Sequence, residues 1–169
     1  KPAIVVMPNG NASKQAAPAE TYENLNYKPV MTNMLPGYKN GSYEGSFSEI
    51  ISHIDATYRT IADKQHRAVA GLSMGGFHSL FISLTYPDMF NYIGLFSAGL
   101  PIEFNNSGKT IYANVDDKLK RLESSDYRLF WIACGKEDFL YNANKAFMRR
   151  LDNIGFKYIY HESERGHIW

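Results

Sequence analysis

The sequence predicts an α/β domain, a mostly parallel sheet with helices on both faces. Three observations carry this expectation. Short apolar, β-rich runs recur along the chain, each closed by glycine, proline or asparagine. Stretches with apolar residues at helical spacing alternate with them, as they do where helices cross between parallel strands. A chain of 169 residues, 44% of them hydrophobic, is also enough for one core, and no internal repeat, low-complexity tract or linker divides it.

The elements read in order as follows. Pro2-Ala3-Ile4-Val5-Val6-Met7, closed by Pro8-Asn9-Gly10, has the character of a buried parallel strand. Residues 11–45 show no sustained period, and Tyr22, Tyr27, Tyr38 and Tyr43 suggest a packed cap or pocket wall there. Ser46-Phe47-Ser48-Glu49 matches a capping box. It precedes a helix whose stripe is Phe47, Ile50, Ile51, Ile54, Tyr58 and Ile61, with His53 off the stripe and solvated. A strand at residues 66–70 leads through glycines to a helix stopped by Tyr86-Pro87-Asp88. Residues 92–99 form another buried strand, residues 102–110 a polar loop, and Val115, Leu119 and Leu122 mark a helix. A strand at 128–135, a helix at about 141–154 ended by Gly155, and a strand at 157–161 complete the pattern, with loop from Glu162 to Trp169.

Composition narrows the chemistry. The 18 basic and 17 acidic residues are spread evenly, so there is neither a basic stripe for nucleic acid nor an acidic tail. The longest apolar runs are too short to span a bilayer. The one cysteine, Cys134, can form no internal disulfide and reads as a small buried hydrophobe. No metal is expected, because the histidines are scattered and H-E-x-x-H is absent. Nor does the glycine-rich stretch have phosphate-loop spacing.

That stretch, Ala70-Gly71-Leu72-Ser73-Met74-Gly75-Gly76, matches G-x-S-x-G between a strand and a helix, the context of the nucleophile elbow of an α/β-hydrolase. Ser73 then sits on a strained turn with its hydroxyl clear of the sheet. Gly71 and Gly75 are expected to leave room for neighbouring backbone, and the Met74 N–H to face a developing oxyanion. A serine nucleophile needs a base and an acid to orient it, in the chain order Ser, Asp or Glu, His. In parallel sheets such partners follow the carboxyl ends of strands. Lys136-Glu137-Asp138-Phe139 offers the acid, with Asp138 preferred and Glu137 read as a solvated charge. Glu164-Arg165-Gly166-His167 offers the base, ahead of His53, His66, His78 and His161, which fall on helices, before the elbow strand or within a strand.

Four blocks in sequence carry a family resemblance: residues 4–10, residues 67–76, Gly135-Lys136-Glu137-Asp138 and Gly166-His167-Ile168-Trp169. Together they resemble the putative-esterase (esterase D-like) family, and within it the feruloyl and acetyl-xylan esterases of carbohydrate esterase family one. The resemblance implies ester hydrolysis through an acyl-enzyme, with Ser73 as nucleophile, His167 as base, Asp138 as acid and no cofactor. Met74 is the implied oxyanion donor, and Phe139, Trp169 and Asn9, in or beside these blocks, are candidate substrate contacts. It further implies feruloyl or acetyl esters of plant xylan as substrates and a secreted or periplasmic enzyme. The same family fold also hosts S-formylglutathione hydrolases, siderophore esterases and mycolyltransferases, and a silent carbohydrate-binding module is the reading outside catalysis. Two departures stand out: Arg165 where relatives tend to have glycine, and no Leu-His-Gly-like turn to supply a second oxyanion donor. The α/β-hydrolase sheet order, 1-2-4-3-5-6-7-8, makes residues 3–7 strand four and residues 67–70 strand five. Strand three is then missing, and the chain, which opens on Lys1, is expected to be part of a longer domain.

Overall fold

The computed structural model describes residues 3–8, 41–101 and 111–168. Among these residues four strands form one parallel sheet in the order β1-β2-β3-β4: β1 (Ala68–Leu72), β2 (Tyr92–Phe96), β3 (Leu129–Gly135) and β4 (Ile159–Ser163). Among the described residues five α-helices accompany them: α1 (Ser42–Gly45), α2 (Phe47–Thr57), α3 (Met74–Thr85), α4 (Val115–Glu123) and α5 (Tyr141–Asn153). Strands and helices alternate from β1 onwards, as the sequence predicts.

The register explains the core. Val69, Ile93 and Phe130 lie side by side, as do Leu95 and Ile132, and all five point to the face that is buried. The helices meet them there. On α4, Val115, Leu119 and Leu122 recur at helical spacing and are fully buried. On α5, Phe147 and Leu151 do the same, and Gly155, at φ +70°, ends the helix in the left-handed region where glycine is unstrained. The α3 helix is apolar almost all round, with Leu80, Phe81, Ile82 and Leu84 at 1% exposure or less, so it is the buried centre of the domain. Each such side chain contributes roughly 1.5–3 kcal/mol on burial.

Three local expectations are corrected. Residues 3–7 form no strand, and Ile4, Val5, Val6 and Met7 are 50%, 78%, 43% and 87% exposed. An isolated β-rich run has no neighbour to take its hydrogen bonds, and β1 is the edge of the sheet among the described residues. The capping box is not formed. The stretch before Ser46 is itself helical, so the Ser46 hydroxyl turns back to the Tyr43 carbonyl at 2.7 Å. Finally, α2 stops at Thr57, leaving Tyr58 and Ile61 beyond the helix and exposed, while Phe47 and Ile51 pack on the core. The start of the long irregular stretch and the polar loop at 102–110 fall outside the described residues.

Candidate active site

The turn from β1 into α3 is sharp because Ser73 adopts φ +57°, ψ −118°. Positive φ costs a non-glycine residue on the order of 1–3 kcal/mol, so it persists only where the surroundings hold it. Three backbone bonds do so. The Ser73 N–H donates to Phe96 O at 2.9 Å, and Ser73 O accepts from the N–H groups of Gly99 at 2.7 Å and Phe77 at 3.2 Å. Met74 is the first helical residue, so its N–H has no intrahelical partner and faces out of the helix N-terminus.

Glycine is needed at two places in this elbow. A Cβ on Gly71 would lie on the carbonyl group of Gly75 and 2.8 Å from its Cα. A Cβ on Gly76 would meet the Cβ and Cα of Ala98 at 2.7 and 2.9 Å. Gly75, expected to make room for backbone, is corrected: a Cβ there meets nothing within 4 Å. What matters at position 75 is its main chain, against which Gly71 packs, and the side-chain constraint falls on Gly76.

The loops that carry Asp138 and His167 lie beyond β2, after β3 and β4. They are joined main chain to main chain: Lys136 N–H to Ser163 O at 2.8 Å, and Glu137 N–H to Arg165 O at 3.3 Å. Gly135 permits this approach, since a Cβ there would fall on the Arg165 carbonyl. The result is a side-chain pair. His167 Nδ1 lies 2.9 Å from Asp138 Oδ2, with the Asp138 side chain fully buried and His167 24% exposed. Asp138 Oδ1 accepts the Leu140 N–H at 2.8 Å. Burial pushes the Asp138 carboxyl up, but hydrogen bonds from Ser97, the Leu140 N–H and His167 outweigh it and hold the group below the usual carboxylate range. Glu137 is exposed. The third link is not formed, as no hydrogen bond joins His167 to the Ser73 hydroxyl.

Phe139 is 76% exposed, with its ring 4.6 Å from the His167 imidazole. Asn9 and Trp169 lie outside the described residues. Of the remaining histidines, His53, His66 and His161 are exposed. His78 instead points away to a fully buried carboxylate, with its Nδ1 2.8 Å from Glu44, which also accepts the Tyr112 hydroxyl at 3.0 Å. Cys134 is buried and free, and burial pushes its thiol up. Among the described residues no group of three or more metal-ligating side chains converges, and no helix is long and apolar enough to cross a membrane. A concavity lined by Lys64, His66, Tyr92 and Arg128 opens at the opposite, amino-terminal ends of the strands.

Sequence reasoning missed Ser97, which directly follows β2 at φ +42° and is 5% exposed beside Asp138. Its position between the strand before Ser73 and the strand before Asp138 is the signal that marks it.

Comparison with known proteins adds the following. The sequence profile described as "putative esterase" matches residues 1–162. An endo-1,4-β-xylanase/feruloyl esterase of Xylanibacter ruminicola is 45% identical over 74 residues, covering 41% of this chain and 10% of that protein. An acetyl esterase of Caldicellulosiruptor saccharolyticus is 27% identical over 157 residues, covering 75% of this chain and 58% of that protein. A solved ferulic acid esterase superposes with a TM-score of 0.59 at 29% identity, covering 75% of this chain and 54% of that one. The chain thus spans little more than half of the acetyl esterase and the solved structure, and a tenth of the xylanase/esterase.

Proposed function

Because the chain belongs to the putative esterase family, we propose that it is the catalytic part of a serine carboxylester hydrolase working through an acyl-enzyme. The observation that carries this reading is the pairing of the buried Asp138 carboxylate with His167 at 2.9 Å, held across the sheet from a strained serine elbow. Asp138 accepts the Nδ1–H, which leaves Nε2 as the basic nitrogen. His167 takes the Ser73 proton as Oγ attacks the ester carbonyl, and the Met74 N–H stabilises the oxyanion. The tetrahedral intermediate collapses as His167 returns that proton to the departing alcohol. Water, deprotonated by His167, then attacks the acyl-serine, and the acid leaves with Ser73 restored. The chemistry calls on no cofactor.

For the substrate, the reading is a feruloyl or acetyl ester on xylan. The named activities of the Xylanibacter and Caldicellulosiruptor relatives favour it. Exposed Phe139 beside the imidazole offers a face on which an aromatic acyl group stacks. A polysaccharide substrate implies work outside the cytoplasm, as a secreted or periplasmic enzyme.

The test uses the intact protein and its Ser73→Ala variant. Fluorophosphonate labelling and nitrophenyl acetate hydrolysis are expected in the first and lost in the second, with folding unchanged. No labelling of either identifies a silent binding module. Relative kcat/KM on methyl ferulate, an acetylated xylo-oligosaccharide, an acylated thiol and a catecholate ester then assigns the substrate. A clear preference for the thioester or the catecholate ester overturns the xylan reading.

A further inference from the structure

One polar side chain in the core is only half satisfied. Asn144, on the inward face of α5, has no exposed surface, and its amide oxygen has no hydrogen-bond partner among the described residues. A buried acceptor left unpaired is costly, so its retention calls for a reason. The reason lies at the other end of the amide. Nδ2 donates to two carbonyls, each at 3.0 Å: Ala98, in the loop after β2, and Leu140, at the start of α5. Two carbonyls on one side also settle which way the amide points, since the reverse orientation would set oxygen against oxygen.

Those two carbonyls belong to the two halves of the site. Beside Ala98, the Gly99 N–H holds Ser73 O at 2.7 Å. Two bonds from the Leu140 carbonyl, the Leu140 N–H holds Asp138 Oδ1 at 2.8 Å, and Asp138 Oδ2 holds His167. A run of hydrogen bonds therefore passes from the elbow to the imidazole, and Asn144 crosses between the loops alongside the direct Ser97–Asp138 bond. We propose that Asn144 is a positioning residue, whose amide clamps the Asp138 loop to the loop that braces Ser73 and so sets the reach of His167 to the serine. This rests on the catalytic reading of Ser73, Asp138 and His167 given above. Asparagine suits the task because it supplies two donors from one nitrogen at the end of a short side chain. Serine supplies one, and leucine, similar in size, supplies none.

The test is a double-mutant cycle in the intact protein. Asn144→Leu removes both clamping bonds and the unpaired oxygen together. It is expected to lower kcat about 10- to 100-fold with KM within about twofold, the scale of a misplacement of up to an ångström. In an Asp138→Asn background the same change is expected to cost less than about threefold, because an acid already disabled gains nothing from being positioned. A residue that only supports the fold would cost the same factor in both backgrounds, and that result overturns the clamp, as does an undiminished kcat. If Asn144→Leu does not fold, Asn144→Ser is used. It keeps a donor within reach of Leu140 O, loses the crossing bond to Ala98 O, and is expected to show the same background dependence. Full activity in Asp138→Asn alone overturns the catalytic reading, and the clamp falls with it.

Discussion

Two adjacent glycines are expected to respond to the same substitution in opposite ways. In Gly76→Ala the new methyl group would start 2.7 Å from Ala98 Cβ and 2.9 Å from Ala98 Cα. Carbon atoms rest at about 3.5–4.0 Å, so α3 must back away from the β2 loop by roughly 0.8 Å or more. Ala98 has no rotamer with which to yield, and its main chain is fixed by the Gly99–Ser73 and Asn144–Ala98 bonds. Overpacking of this kind costs about 1–3 kcal/mol, less up to about 1 kcal/mol that alanine returns to a helix. At about 2–4 °C per kcal/mol for a chain of this size, Tm is expected to fall by several degrees. Because the helix that moves begins at Met74, kcat is expected to fall about 10- to 100-fold as well. In Gly75→Ala nothing lies within 4 Å of the new methyl, and only the helix gain remains, so Tm is expected to hold or rise by about 2–4 °C. Thermal unfolding of both variants, with nitrophenyl acetate turnover for Gly76→Ala, makes the comparison. Equal Tm values in the two variants, or an unimpaired Gly76→Ala, would refute the assignment of the steric constraint to position 76.

Further expectations concern charge. Asp138→Asn should lower kcat on the order of 10⁴-fold by leaving the imidazole in the wrong tautomer, while Glu137→Gln stays near normal; a dead Glu137→Gln beside a working Asp138→Asn would reverse the choice of acid. Because the folded Asp138 carboxyl titrates below its unfolded value, its contribution to stability is complete above about pH 4 and is lost as pH falls through the folded value. Acid unfolding of Asp138→Asn should therefore depend less steeply on pH below about 4 than that of the parent, and identical profiles would argue against the pairing. Away from the site, Glu44→Ala removes the buried carboxylate that His78 and Tyr112 share and should destabilise by about 3 kcal/mol without a matching change in kcat per folded molecule.

What was legible in the chain depended on how local its cause is. The elbow could be read because strand, serine, glycines and helix onset are contiguous, and the crossings that follow are written in residues such as Val115, Leu119 and Leu122. The Asp138–His167 pairing was readable from chain order and from the rule that sites gather at the carboxyl ends of parallel strands. The misreadings arose where a neighbour decides. Ser46 looks like a cap until the helical turn before it is known, and Ile4, Val5, Val6 and Met7 look buried until one asks what would pair with them. The roles of Gly76, Ser97 and Asn144 come from contacts between segments more than twenty residues apart, with Ala98, Asp138 and Ala98 respectively. No spacing rule reaches them.

The sheet order β1-β2-β3-β4 is also the order of the strands in the chain, and this has a consequence for how the molecule is made. A ribosome delivers the serine turn first, the carboxylate loop some sixty residues later, and the imidazole only after the last strand. Each of these four strands can dock on its predecessor as it emerges. At every intermediate length the serine is present but has no base. On the catalytic reading proposed above, synthesis thus keeps the nucleophile idle until the segment that carries His167 is in place.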